Sequence, residues 1–158
     1  MRLMSKILGA AFIGAIMLLS ASHANAMLLT QHTATAVTDC VDVDAASTAA
    51  NAVVWAYPCN GTMAEQWNFV GSELQALAPG KCLSTVGGAT VAGTLVVLNN
   101  CTGAAGQKWV YWKQEIYVQG VSPAICLDAI KGAQKQLEIN TCASDLAITS
   151  PTQTWTLH

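Results

Sequence analysis

A cysteine, a second cysteine and a tryptophan recur in the same order three times, and no other feature constrains the fold of this sequence as tightly. The first pass runs from Cys40-Val41-Asp42-Val43 through Tyr57-Pro58-Cys59 to Glu65-Gln66-Trp67. The second runs from Cys82-Leu83-Ser84-Thr85 through Asn99-Asn100-Cys101 to Gln107-Lys108-Trp109. The third runs from Cys126-Leu127-Asp128-Ala129 through Asn140-Thr141-Cys142 to Gln153-Thr154-Trp155. Leading cysteines are spaced by 42 and 44 residues, and closing tryptophans by 42 and 46. A period of this length marks supersecondary units that must stack to bury a shared core. Three units, at about residues 30–70, 71–113 and 114–158, predict a pseudo-threefold object.

Residues 1–26 read as an export signal and not as part of that object. Arg2 and Lys6 supply a positive start, Ile7 to Leu19 an apolar stretch, and Ala24-Asn25-Ala26 a small-residue cleavage site. A membrane anchor would need roughly 20 apolar residues. The run here is 13, and Ser20, Ser22, His23 and Asn25 end it. Cleavage after Ala26 is expected, giving a secreted chain, extracellular or periplasmic, that is not inserted in a membrane. That chain, residues 27–158, is sized for a single domain. It carries five lysines, no arginine and nine acidic residues, a formal charge of −4. Nucleic-acid binding needs clustered Lys and Arg, so no nucleic-acid partner is expected.

All six cysteines follow the cleavage site, and an even count in an exported chain is the setting for disulfides. Metal ligation prefers close C-x₂₋₄-C pairs, which this sequence lacks, so neither metal nor cofactor is expected. If the three units are equivalent, each closes its own loop: Cys40 with Cys59, Cys82 with Cys101, Cys126 with Cys142, at separations of 19, 19 and 16. Within each unit the pattern is of short strands. Trp67 to Val70, the turn Gly71-Ser72, and Glu73 to Leu77 give strand, turn, strand, and the order recurs from Trp109 to Val118. The alanine-rich stretch from Asp44 to Ala52 has helical propensity, but the repeat register places a loop there. Many short strands between regular turn signals predict an all-β fold.

With three cysteine pairs and three Gln-x-Trp-type closings in register, residues from about Thr30 to Leu157 resemble the ricin B-chain-type β-trefoil lectins. The resemblance implies a six-stranded barrel capped by three hairpins, with one disulfide per repeat. Trp67, Trp109 and Trp155 would pack about the pseudo-threefold axis, and each buried indole N–H would need an acceptor. Gln107 and Gln153 would satisfy buried backbone as structural residues. Glu65, where Gln is expected, accepts but does not donate when ionised; it should be partly exposed or paired with a donor.

In that family each unit can hold one shallow sugar pocket. An Asp two residues after the leading cysteine accepts from sugar hydroxyls, an aromatic two residues before the second cysteine stacks on the ring, and an Asn precedes the Gln-x-Trp. The chemistry is general, since a polyol offers donors to a carboxylate and a C–H face to an aromatic ring. The first unit keeps Asp42 and Tyr57 but has Ala64 and Glu65 at the Asn and Gln positions, with Asn60 nearby as a substitute amide. The second has Ser84, Asn99 and Gly106, and its pocket is expected to be dead. The third keeps Asp128, with Asn140 for the aromatic and Thr152 for the Asn. The implied carbohydrate contacts are therefore Asp42, Tyr57, Asn60, Glu65, Asp128 and Asn140. Asp42 and Asp128 have an alternative use as turn carboxylates, Tyr57 one as a strand aromatic, and Trp55 and Trp112 read as packing residues.

No enzyme is expected. A glycosidase needs two carboxylates facing across a cleft, and His32 and His158 near the chain ends form no nucleophilic arrangement. The expectation is a secreted lectin module binding glycans, galactose-like or related, with self-association or a multivalent target supplying avidity. The alternative is a protein-binding trefoil or accessory subunit with decayed pockets. A small secreted hydrolase is the remaining option and has no catalytic constellation to support it.

Overall fold

The computed structural model describes residues 26–32, 38–130, 134–143 and 150–158. The export signal expected at residues 1–26 lies, apart from Ala26, outside them. Among the described residues thirteen strands fall into three groups. The first holds β1 (Met27–His32), β2 (Thr38–Val43), β3 (Ala52–Pro58) and β4 (Gln66–Val70). The second holds β5 (Glu73–Ala76), β6 (Lys81–Thr85), β7 (Thr94–Asn100) and β8 (Trp109–Trp112). The third holds β9 (Glu115–Val118), β10 (Ile125–Asp128), β11 (Lys135–Gln136), β12 (Glu138–Thr141) and β13 (Trp155–Leu157). Asp44–Ala46, the start of the alanine-rich stretch, is a short 3₁₀ turn whose Ala45 has a φ of 53°, so propensity yields to the tertiary context.

Six strands close a barrel. β1 pairs with β4, β4 with β5, β8 with β9, and β13 with β1, all antiparallel. The two remaining seams are narrower. A bridge between Glu73 and Lys108 and the bond from Trp109 N to Ser72 O (2.7 Å) join β5 to β8. The bond from Trp155 N to Gln114 O (2.7 Å) ties β13 to the turn before β9. Closure leaves the barrel no open edge. The hairpins β2–β3, β6–β7 and β10–β12 cap it and meet one another, β3 pairing with β7, β7 with β12, and β11 with β3. This is the β-trefoil that the resemblance implied.

The core repeats as the sequence does. Trp67, Trp109 and Trp155 are fully buried in one apolar cluster with Leu29, Leu74, Leu83, Ile116, Leu127 and others. Each indole N–H donates to the carbonyl of the residue after its unit's leading cysteine. Trp67 reaches Val41 O at 2.8 Å, Trp109 reaches Leu83 O at 3.0 Å, and Trp155 reaches Leu127 O at 3.1 Å. One side chain thus fills the centre and fixes the leading strand of its hairpin. The disulfides are Cys40–Cys59, Cys82–Cys101 and Cys126–Cys142. Each closes a loop within one unit and stabilises it by about 3 kcal/mol if chain entropy dominates.

Candidate carbohydrate-binding sites

Each site is built on a hairpin of the cap. The residue two after the leading cysteine (Asp42, Ser84 or Asp128) is paired in register with the residue four before the second cysteine: Asp42 with Trp55, Ser84 with Val97, Asp128 with Glu138. Side chains alternate faces along a strand, so Tyr57 shares a face with Trp55, and Asn140 with Glu138. Behind each front residue stands the first residue of the closing Gln-x-Trp triplet: Glu65, Gln107 or Gln153.

In the third unit this arrangement opens into a cavity of about 380 Å³ lined by Asp128, Glu138, Asn140 and Gln153, with Ile130 and Thr152 among the other walls. Asp128 is 3% exposed. Its Oδ2 accepts from Gln153 Nε2 at 2.8 Å and from Asn140 Nδ2 at 3.3 Å, while its Oδ1 has no partner among the described residues. Asn140 also donates to Glu138 Oε1 at 3.0 Å. Gln153 is held in turn, accepting from Ala143 N at 2.7 Å and donating to Thr141 O at 3.1 Å.

The first unit gathers different chemistry. Asp42 is buried, and its Oδ1 accepts from Trp55 Nε1 at 2.8 Å. Trp55 stacks on Tyr57 with ring centroids 5.0 Å apart and an interplanar angle of 22°. Both rings are half-buried. Burial raises the Asp42 carboxyl above its ordinary range; the Trp55 hydrogen bond opposes this, and the negative charges of Glu65 and Asp44 add to it. Asn60 lies in the exposed loop after Cys59, where its Oδ1 accepts from Thr62 N at 3.1 Å.

Glu65 takes the second of the two alternatives expected for it, pairing with donors in place of partial exposure. It is 0% exposed, with Oε1 accepting from Asn60 N at 2.7 Å and Oε2 from Gly61 N at 2.9 Å. Two backbone donors compensate its burial, so it is paired as foreseen, but it stands behind the site. Gly61 has a φ of 76°, a conformation that glycine adopts without steric cost and that presents these successive N–H groups to one carboxylate.

The second unit is filled. Ser84 Oγ donates to Cys82 O at 3.1 Å and accepts from Gln107 Nε2 at 2.8 Å. A Cβ built on Gly106, at the family's Asn position, would collide with Thr85 Oγ1 and lie 2.9 Å from Gly88 Cα. Gln107 serves the backbone as expected, accepting from Thr102 N at 2.7 Å and donating to Asn100 O at 2.7 Å. Glu138 escaped the sequence reading, and Trp55, read there as a packing residue, donates to the front carboxylate. Their signal was present, since each stands two residues before a position already singled out and on the same strand face. Trp112, read as a packing residue, is 62% exposed.

Three hairpins with equivalent front, flank and back positions on a trefoil define a lectin-type β-trefoil. The model of the ricin-type beta-trefoil lectin domain matches residues 29–155, and the chain belongs to that family. Among solved structures it is similar to a designed threefold-symmetric protein, ThreeFoil, at 21% identity and a TM-score of 0.65, over 84% of this chain and 96% of that one. It is similar to the β-trefoil lectin of the Vibrio vulnificus hemolysin/cytolysin, solved with N-acetyl-D-lactosamine bound, at 16% identity and a TM-score of 0.64, over 84% and 93%. A non-toxic homologue of type II RIPs from Momordica charantia (bitter gourd), in complex with α-methyl-D-galactoside, matches at 25% identity and a TM-score of 0.63, over 84% of this chain and 48% of that one. No curated protein matches the sequence. The family and its lectin neighbours support a carbohydrate-binding role. The domain is usually non-catalytic, although it also occurs in enzymes, a structure of GalNAc-T7 being among the matches.

Proposed function

We propose that the protein is a secreted, non-catalytic lectin that binds galactose-like sugars through its first and third units. The observation that carries this reading is Asp128 Oδ1, a buried carboxylate oxygen without a partner among the described residues, in a side chain that lines a cavity beside Asn140 and Glu138. Such an oxygen is suited to accept from a sugar hydroxyl, and an unmatched buried acceptor is costly unless something donates to it. The first unit offers the complementary chemistry of a carboxylate beside a stacked aromatic pair. Two of the similar structures were solved with galactose-containing ligands, which supports the sugar class. Export with signal cleavage near Ala26 accords with three disulfides, which persist in oxidising compartments.

A glycan array on the mature chain, followed by lactose titration of Asp42→Asn and Asp128→Asn, tests the assignment. Each variant should weaken binding, and the double variant should abolish it. Unchanged binding by the double variant refutes the sites. A protein partner is the alternative, favoured by an apolar groove of about 340 Å³ between the first two units, with exposed Met63 and Leu77 in its wall. A folded protein that binds no glycan on the array would support it.

A further inference from the structure

The three disulfides are equivalent in the fold and unequal in their surroundings. Cys40, Cys82 and Cys126 are fully buried. Their partners are graded: Cys59 is exposed, Cys101 half-buried and Cys142 buried. The flanks differ as well. Thr30, Gln75 and Tyr117 stand opposite the leading cysteines in register. Side chains two residues apart share a strand face, and two residues before these three stand Leu28, Glu73 and Glu115. A carboxylate oxygen of Glu73 lies within 4.8 Å of the sulfur atoms of Cys82 and Cys101, and one of Glu115 within the same distance of those of Cys126 and Cys142. Among the described residues no carboxylate makes such a trio with Cys40 and Cys59, and the first unit has the apolar Leu28 at the corresponding place. Glu73 is held beside its disulfide, with Oε1 accepting from Gly103 N at 3.1 Å and Oε2 from Gln75 Nε2 at 3.0 Å.

We infer that Cys59 is a thiol-exchange site, at which a low-molecular-weight thiol becomes attached while the other two disulfides stay closed. The inference goes beyond carbohydrate binding and does not depend on it. Exchange begins when a thiolate attacks one sulfur of a disulfide and the other sulfur leaves, so access to the attacked sulfur and repulsion around it govern the rate. At Cys59 the thiolate forms the new S–S bond, the Cys59–Cys40 bond breaks, and Cys40 departs as a thiolate that takes a proton from water. The product is a mixed disulfide on Cys59 and a free thiol on Cys40, with no net oxidation or reduction. At the other two disulfides the outer cysteine is less exposed and a carboxylate stands beside the sulfurs. An ionised carboxylate within 4.8 Å of the attacked sulfur slows attack roughly fourfold in a watery setting. The same charge disfavours the thiolate that must leave. Cys59 follows β3, two residues after Tyr57, and leads into the Asn60-Gly61 turn that holds Glu65. The adduct therefore sits beside the first-unit site, and opening the bond loosens that turn.

The test exposes the purified protein to reduced glutathione in mildly alkaline buffer, traps free thiols with iodoacetamide at intervals, and maps the peptides by mass spectrometry without reduction. Glutathione on Cys59 with an alkylated Cys40 should form first, about tenfold or more faster than either other disulfide opens. Backbone ¹H–¹⁵N signals of Asn60 and Gly61 should shift with it, while those of Thr102, Gly103 and Ala143, at the equivalent turns, stay in place. Glu73→Gln, which keeps an acceptor oxygen for Gly103 N, should speed the opening of Cys82–Cys101 roughly fourfold and leave Cys40–Cys59 unchanged. A first adduct at Cys101 or Cys142, opening of all three disulfides at one rate, or no adduct on Cys59 in the folded protein overturns the site. An unchanged rate at Cys82–Cys101 in Glu73→Gln overturns the part given to the carboxylate.

Discussion

Replacing Trp109 by Phe isolates the anchor on which each unit depends. The substitution deletes the N–H that reaches Leu83 O at 3.0 Å in a fully buried setting. Leaving that carbonyl unmatched costs about 1–3 kcal/mol. The phenyl ring is smaller than the indole by roughly 40 Å³, and at about 24 cal/mol per Å³ of unrelaxed cavity that adds about 1 kcal/mol. The total is about 3 kcal/mol. For a domain of this size it corresponds to a fall in Tm of roughly 10 °C. Urea unfolding followed by far-UV circular dichroism measures it without relying on tryptophan emission. Trp67→Phe and Trp155→Phe should lose similar amounts, because their bonds to Val41 O and Leu127 O are equivalent. Trp112→Phe, at an exposed position, should change stability by about 0.5 kcal/mol or less. A Trp109→Phe variant as stable as Trp112→Phe would refute the idea that the indoles hold the hairpins.

Two further outcomes follow from backbone geometry. Gly106→Ala should destabilise the fold by about 2 kcal/mol in the same unfolding assay, because Thr85 can rotate but the backbone of Gly88 cannot withdraw. The turn joining β8 to β9 puts Lys113 and Gln114 at φ values of 50° and 65°, where Asn-Gly is the favoured pair. Lys113→Asn combined with Gln114→Gly should therefore raise stability by about 1 kcal/mol, read as a higher urea midpoint at unchanged slope.

The scaffold was legible in the sequence because its determinants are single residues at repeated spacings. Each tryptophan announces a core position, each cysteine pair a closed loop, and neither depends on an unknown neighbour. For Glu65 two alternatives stood, partial exposure or pairing with a donor, and the choice between them lies with backbone donors at Asn60 and Gly61. Their direction is set by a left-handed glycine. Trp55 and Glu138 could have been found by period-two alternation from Tyr57 and Asn140. The third-unit cavity could not, because Ile130, Ser150 and Thr152 reach it from segments on either side of β12. In the second unit Ser84, Asn99 and Gly106 stand in place of the family's sugar contacts. The contact that closes it, Thr85 and Gly88 against Gly106, is tertiary.

Comparing the three units shows how one scaffold holds sites of different character. The indole anchors on a backbone carbonyl, so the side chain that follows the leading cysteine need only be apolar, as Val41, Leu83 and Leu127 are. The site is then set by two positions, the front residue and the one behind it. Ser84 with Gln107 is self-satisfied, since the hydroxyl both accepts and donates within the protein and leaves a ligand little to bind. Asp128 with Gln153 uses one carboxylate oxygen and leaves the other buried without a partner among the described residues. Asp42 with Glu65 divides its partners, the front carboxylate accepting from the Trp55 indole and the one behind it from the backbone N–H groups of Asn60 and Gly61. Exchanging only the residue behind the front carboxylate, with the barrel untouched, should convert one kind of site into another. Glu65→Gln is that exchange in the first unit, and Gln153→Glu, which removes the donor to Asp128 Oδ2, should weaken lactose binding through the third while the fold is kept.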